Sequence, residues 1–221
     1  MAEKEQVEKA DKKEKKGKKG KTVKKKLVRK RVERRTTDKW KKKKWFTIVA
    51  PKEFSNKVVG ETPAEKVKVL DGRVIKTNLG NLSNQRQKRH ISVSFKINKV
   101  EGTTANTILT GHEISSSYLG RMTRRRSSKV ETVQTVMTKD KQSVKVKTIA
   151  ITARKAKVNQ RTAMRQIMIA GIADAAKKKT CNQFVQELIF GTISTKIFAD
   201  IKKIVPVKRV EIAKSKIYFD E

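Results

Sequence analysis

Residues 1–44 hold 22 Lys or Arg, 7 acids and only nine apolar residues, and this imbalance limits what the chain can become more than any other feature. A segment so poor in apolar groups cannot offset an ordering entropy of roughly 1–2 kcal/mol per residue. The tract Lys12–Lys26 is low-complexity and basic, with Gly17 and Gly20 loosening it. Alone, residues 1–44 are expected to be a disordered basic arm that orders on a polyanion. The excess does not stop there. The whole chain carries a formal charge of +36 over 221 residues. A compact body with that density repels itself, so the composition calls for a polyanionic partner, nucleic acid being the commonest. Lysines that displace counterions from phosphates imply binding that weakens steeply with salt.

From Trp45 onward the pattern is that of a folded domain, residues 45–221. Residues 45–51 (WFTIVAP) read as a strand entering a core, with Trp45 expected to pack inside rather than to stack on bases. Asp71-Gly72 signals a turn, residues 73–79 an extended run, and Gly80-Asn81 its break. Ile91, Val93, Phe95 and Ile97 alternate with Ser92, Ser94, Lys96 and Asn98, which makes residues 90–100 the clearest strand. Residues 104–115 are strand-like, with Gly111 marking a bulge. Tyr118, Leu119 and Met122 sit at helical spacing, with Arg121, Arg124 and Arg125 on the opposite stripe. Residues 129–152 read as a hairpin with a four-residue loop, Lys139–Gln142. In its second arm the apolar phase slips from Val144/Val146 to Ile149/Ile151, so a bulge lies there or both faces are covered.

After residue 155 the period turns helical. Met164, Ile167, Met168, Ile172 and Ala175 form one stripe, and Gly171 on it permits close approach of a neighbour. Thr180 with Gln183 suggests a capping box, followed by Phe184, Val185, Leu188 and Ile189 as an apolar face. Ile197, Phe198, Ile201 and Ile204 make a third stripe stopped by Pro206, and residues 205–217 close the chain as a strand. The fold class is α+β: an antiparallel β-barrel-like sheet with two or three C-terminal helices, plus the basic N-terminal arm.

Chemistry is hard to find. His90 and His112 lack companions at metal-ligand spacing, and Cys181, near a helix start that can lower a thiol pKa, has no catalytic partner in the pattern. No P-loop, GxGxxG after a strand, HExxH or GxSxG occurs, and carboxylates are scattered singly. The sequence thus offers no enzyme, no cofactor and no metal, and without a run of 18 apolar residues no membrane span. The single cysteine suits a reduced, intracellular setting. What remains is recognition of nucleic-acid backbone by charge and shape. The candidate contacts are the arm (Lys12, Lys13, Lys15, Lys16, Lys18, Lys19, Lys24, Lys25, Lys26, Arg29, Lys30 and Arg31), the run Lys41, Lys42, Lys43 and Lys44, the cluster Arg124, Arg125 and Arg126, and the pair Arg154 and Lys155.

Several stretches carry a family resemblance: KKWFTIVAPKEF (43–54), GRVIKTNLGNL (72–82), TGHEIS (110–115) through RRRSSKVET (124–132), RTAMRQIMIAGI (161–172) and PVKRVEIAKSKI (206–217). Together, and in this order, they resemble the archaeal/eukaryotic small-subunit ribosomal protein family eS-one (S-three-A-e). The short stretch after the last strand is similar to archaeal members. The resemblance implies a β-barrel-centred structural constituent of the cytoplasmic ribosome. It would sit on the small-subunit platform near the messenger exit, with small-subunit rRNA, neighbouring small-subunit proteins and messenger RNA as partners. The competing expectation is a free basic RNA- or DNA-binding protein outside the ribosome.

Overall fold

The computed structural model describes residues 40–83 and 85–219. Among them, eight strands and five α-helices follow in the order β1 (Lys44–Val49), β2 (Val58–Ala64), β3 (Val74–Asn78), α1 (Leu79–Leu82), β4 (Ile91–Glu101), β5 (Thr104–Ile114), α2 (Ser116–Met122), β6 (Lys129–Met137), β7 (Ser143–Thr152), α3 (Val158–Lys178), α4 (Cys181–Phe190), α5 (Thr192–Lys202) and β8 (Val207–Tyr218). The α+β class and the three consecutive C-terminal helices are as expected. None of the described helices is long and apolar enough to cross a membrane.

The sheet is open rather than a closed barrel. Its main path is β2-β1-β5-β8-β7-β6, with β4 pairing β5 and β3 outside β4. No described pair joins β6 to β2 or β3, so the circle stays unclosed. The reason is a fork at β5. β4 covers one edge of β5 along its length, and the other edge is shared. β1 runs parallel to Thr104–Asn106, while β8 runs antiparallel to Gly111–Glu113. All other pairings are antiparallel. Gly111 is required at the fork. A Cβ there would lie 2.1 Å from the Ser215 carbonyl oxygen, so only glycine lets β5 and β8 come this close. The expected bulge is next to it: Ser94 faces Gly111 and Phe95 faces Leu109, leaving Thr110 as the extra residue.

Of the two readings of the phase slip in β7, coverage of both faces holds, while the bulge lies in its partner strand β8. Lys147 pairs with Lys214 but Thr148 with Ile212, so Ala213 is an inserted residue on β8. Beyond that bulge β7 is covered on both faces. Ala150 joins the main core, whereas Ile149, Ile151 and Ala213 form a separate cluster under Leu119 and Met122 of α2.

The main core lies between the sheet and the helices α3–α5. Met164, Met168 and Ile172 of α3, Phe184 and Leu188 of α4, and Ile197 and Ile201 of α5 bury onto Val130, Val144, Val146 and Ile212. Each such side chain stabilises by roughly 1.5–3 kcal/mol when fully buried. Gly171 sets the approach of α3 to α5, because a Cβ there would meet Ile197 Cγ1 at 3.0 Å. A smaller core of Phe46, Ile48, Ala64, Leu70, Ile97 and Ala105 holds β1 and β2.

Several local expectations are corrected. Trp45 is 59% exposed, because Phe46 and Ile48 occupy the inward positions of β1 and Trp45 has the opposite parity. Leu79–Leu82 forms a helical turn where a simple break was expected, burying Leu79 and Leu82. The hairpin loop spans residues 138–142, closed by Thr138 N–H donating to the Gln142 carbonyl at 3.1 Å. The Thr180–Gln183 capping box does not form. Instead the Cys181 N–H at the start of α4 donates to Asp140 Oδ2 at 2.9 Å, so the hairpin tip caps the helix.

Candidate nucleic-acid interface

Strands β7 and β8 alternate lysine with buried residues, Val144-Lys145-Val146-Lys147 in one and Ala213-Lys214-Ser215-Lys216-Ile217 in the other. Register then aligns the lysines. Lys145 stands directly opposite Lys216, and Lys147 opposite Lys214. The alignment extends sideways through the sheet. One row runs Lys76, Ser94, Gly111, Lys216, Lys145, Thr135, and the next runs Asn78, Ser92, Glu113, Lys214, Lys147, Val133. Directly opposed residues share a face, so these rows form one polar surface on the side away from α3–α5. Lys129 and Lys96 lie on it too, by strand parity.

Two carboxylates on this face serve four of its lysines. Glu113 lies 3.4 Å from Lys214 and 3.7 Å from Lys76. Glu131 is bonded by Lys129 and, at 2.9 Å, by Lys147. The Lys129 and then the Lys147 hydrogen bond hold the Glu131 carboxyl below its usual range. Among the described residues no carboxylate pairs with Lys145 or Lys216; the Lys216 ammonium sits 5.0 Å from the Tyr218 ring centroid. Like charges set directly opposite each other are unfavourable by up to about 1 kcal/mol, and exposed ion pairs recover little of it. The surface therefore keeps uncompensated positive charge at Lys145 and Lys216.

A second basic site is a recess of about 450 Å³ lined by Arg126, Arg154 and Lys155. Residues 28 apart meet there because β6 starts where β7 ends. Ser128 N–H donates to Thr152 Oγ1 at 2.9 Å, Thr152 N–H to the Ser128 carbonyl at 3.0 Å, and Ala156 N–H to Ser128 Oγ at 3.0 Å. Arg126 adopts φ 68°, turning the loop toward residues 154–155. A third basic stretch is exposed Lys41–Lys44 between Trp40 and Trp45, with the Lys43 ammonium 4.2 Å from the Trp40 ring centroid.

The structure thus brings together Arg126, Arg154 and Lys155, and leaves Lys41–Lys44 exposed as a separate run. Arg124 and Arg125 do not share a helical stripe with Arg121. α2 ends at Met122, Thr123 is extended (ψ 105°), and the two arginines lie exposed in the following loop. Lys12 through Arg31 lie outside the described residues. Sequence reasoning missed Lys145, Lys147, Lys214 and Lys216. Their signal was present as the Lys-every-second-residue pattern of the two strands.

The remaining reactive side chains serve the fold. His112 is buried and accepts or donates through both ring nitrogens, 2.6 Å from Ser215 Oγ and 2.9 Å from the Ile212 carbonyl. That carbonyl can only accept, so Nε2 carries the proton and Nδ1 accepts from Ser215. Burial pushes the His112 pKa down to about 4, and the bond to the Ile212 carbonyl offsets only part of this. Cys181 is a buried free thiol, as expected of a structural cysteine. Burial first, and the Asp140 carboxylate second, push its thiol up to about 11, so the helix start does not activate it.

The family model described as the Ribosomal S3Ae family matches residues 31–220. Curated relatives named small ribosomal subunit protein eS1 include that of Methanobrevibacter smithii, 37% identical over 191 residues, covering 86% of this chain and 99% of the relative. That of Sulfurisphaera tokodaii is 39% identical over 180 residues, covering 81% and 93%. That of Saccharolobus islandicus is 41% identical over 180 residues, covering 81% and 86%.

Proposed function

The chain belongs to the Ribosomal S3Ae family, and from that premise we propose that it holds small-subunit rRNA through the lysine rows of its open sheet face, on the platform near the messenger exit. It is a structural constituent of the small ribosomal subunit, working in translation in the cytoplasm, and not an enzyme. The observation that supports RNA contact is the opposition of Lys145 to Lys216 and of Lys147 to Lys214. Glu131 and Glu113 offset Lys147 and Lys214, whereas the charges of Lys145 and Lys216 have no carboxylate partner among the described residues and are relieved when phosphates lie between them. The recess of Arg126, Arg154 and Lys155 and the exposed run Lys41–Lys44 extend the contact, with Trp45 available to stack on an unpaired base. Residues 1–44 form the basic arm and residues 45–221 the folded body. Lysines and arginines of the arm enter where rRNA phosphates crowd, while the apolar groups left at the body surface meet neighbouring proteins and messenger RNA passes nearby. Such contacts position the protein without reading sequence.

Sedimentation tests the assignment. In magnesium the protein should travel with small subunits, and it should leave them as salt rises. A protein that stays at the top of the gradient while small subunits migrate normally overturns it. Removing residues 1–40 should leave the body folded and reduce the slope of log affinity against log salt, by roughly 0.7–0.9 for each phosphate that is no longer neutralised.

A further inference from the structure

Where β5 and β8 separate, the sheet opens into a cleft of about 720 Å³. β8 pairs with β5 only at Lys214–Lys216, so its residues 208–212 keep β7 on one edge and face the cleft with the other. One wall is the ring pair His90–Tyr118, stacked with centroids 3.8 Å apart and planes 17° apart. The junction of α4 and α5 also lines the cleft, where Phe190 is half-buried. Two cations stand at its rim. Lys88 lies 4.9 Å from the Phe190 ring centroid, and Arg209 donates to the Tyr118 hydroxyl. Glu211, half-buried, lines the same cleft, with Arg209 Nε 3.8 Å from its Oε1. That is too long for a hydrogen bond, so the carboxylate has unused acceptor capacity inside the cleft. Burial raises its pKa, and Arg209 and Lys88 counter this only in part.

Flat aromatic walls, cations at the rim and an acceptor-only carboxylate inside define a ligand: a planar ring with hydrogen-bond donors on one edge, attached to phosphates. We propose that the cleft takes one unpaired guanosine of RNA, its base against the Tyr118–His90 wall and its N1–H and N2–H donors on Glu211. Guanine alone among the four bases presents two adjacent donors that match the two oxygens of a carboxylate. Adenine and cytosine offer one amino group beside an acceptor, and uracil one imino group between two acceptors. Lys88 and Arg209 meet the flanking phosphates. This deepens the RNA-binding reading and rests on it, adding a base-reading position to a surface otherwise specific only for backbone.

The test uses the full chain and fluorescence anisotropy with two labelled seven-nucleotide RNAs, one all uridine and one with guanosine at its centre. At equal salt the guanosine RNA should bind about tenfold tighter, the discrimination expected of one bidentate contact. Glu211→Gln should abolish that preference, while the uridine RNA binds at least as tightly because one negative charge is removed beside Arg209 and Lys88. Tyr118→Leu should weaken the guanosine RNA several-fold. Equal binding of the two RNAs with a steep salt slope overturns the guanosine site while leaving backbone binding intact. Failure of both RNAs to bind at low salt overturns backbone binding and the site together. A preference that survives Glu211→Gln overturns the role of the carboxylate, and free GMP binding as tightly as the guanosine RNA overturns RNA as the source of the base.

Discussion

On one side of β7 and β8, Val144, Val146, Ile212 and Ile217 are at most 3% exposed beneath the helices; on the other, Lys145, Lys147, Lys214 and Lys216 stand opposite one another. The same two strands supply both faces, one residue out of phase. The apolar face is satisfied within the chain. The lysine face is satisfied only in part, since Glu113 and Glu131 reach Lys214 and Lys147 but neither Lys145 nor Lys216. The division teaches that the core and the surface charge are written in alternate residues of one pattern and can be perturbed separately.

The largest expected effect lies on the apolar face. Phe184→Ala should cost about 3–5 kcal/mol in chemical denaturation, because Phe184 is fully buried between the helices and the sheet. The salt slope of RNA binding by the fraction that remains folded should not change. The opposite outcome is expected on the lysine face. Replacing Lys145, Lys147, Lys214 and Lys216 by Gln together should lower the slope of log affinity against log salt by about 3 units without loss of thermal stability. A fall in stability with an unchanged slope would erase the distinction between the faces.

Acid probes the apolar side at its one buried titratable ring. The folded-state pKa of His112 is depressed to about 4 from 6.5, so the unfolded chain binds the proton first. The stability this neutral ring contributes is fully present above about pH 6.5 and is lost as pH falls toward 4, up to about 3 kcal/mol. Denaturation midpoints measured from pH 7 to pH 4 should drop more steeply for the native chain than for His112→Gln. The smallest effect is a gain. Lys145→Gln removes one member of an opposed pair and should raise stability by a few tenths of a kcal/mol at low salt, vanishing in high salt.

Much of the fold was legible because alternation and helical stripes report burial directly. Ile91, Val93, Phe95 and Ile97 turned inward as expected, and Phe184, Val185, Leu188 and Ile189 formed the buried face of α4. Features set by pairs distant in sequence were not legible. The fork at β5 depends on β1 and β8 competing for one edge, and the cap on α4 comes from Asp140, 41 residues earlier. Trp45 was misjudged because its size argued for burial while the parity of Phe46 and Ile48 argued against it. The basic site was half legible. Clustered charges such as Lys41–Lys44 and Arg124–Arg126 stand out in a sequence, whereas lysines spaced by two become a patch only when neighbouring strands bring them into register.

The strand order has a consequence for how such a chain is made. β8 is the last of the described strands to leave the ribosome that synthesises it, yet its place is in the middle, between β5 and β7. Until it arrives, the β4–β5 and β6–β7 hairpins can form but each presents a bare edge with nothing to join them. Slow, long-range closure of this kind leaves nascent chains open to mispairing with one another. The excess charge that prepares the finished molecule for RNA would also keep unfinished copies apart while they wait.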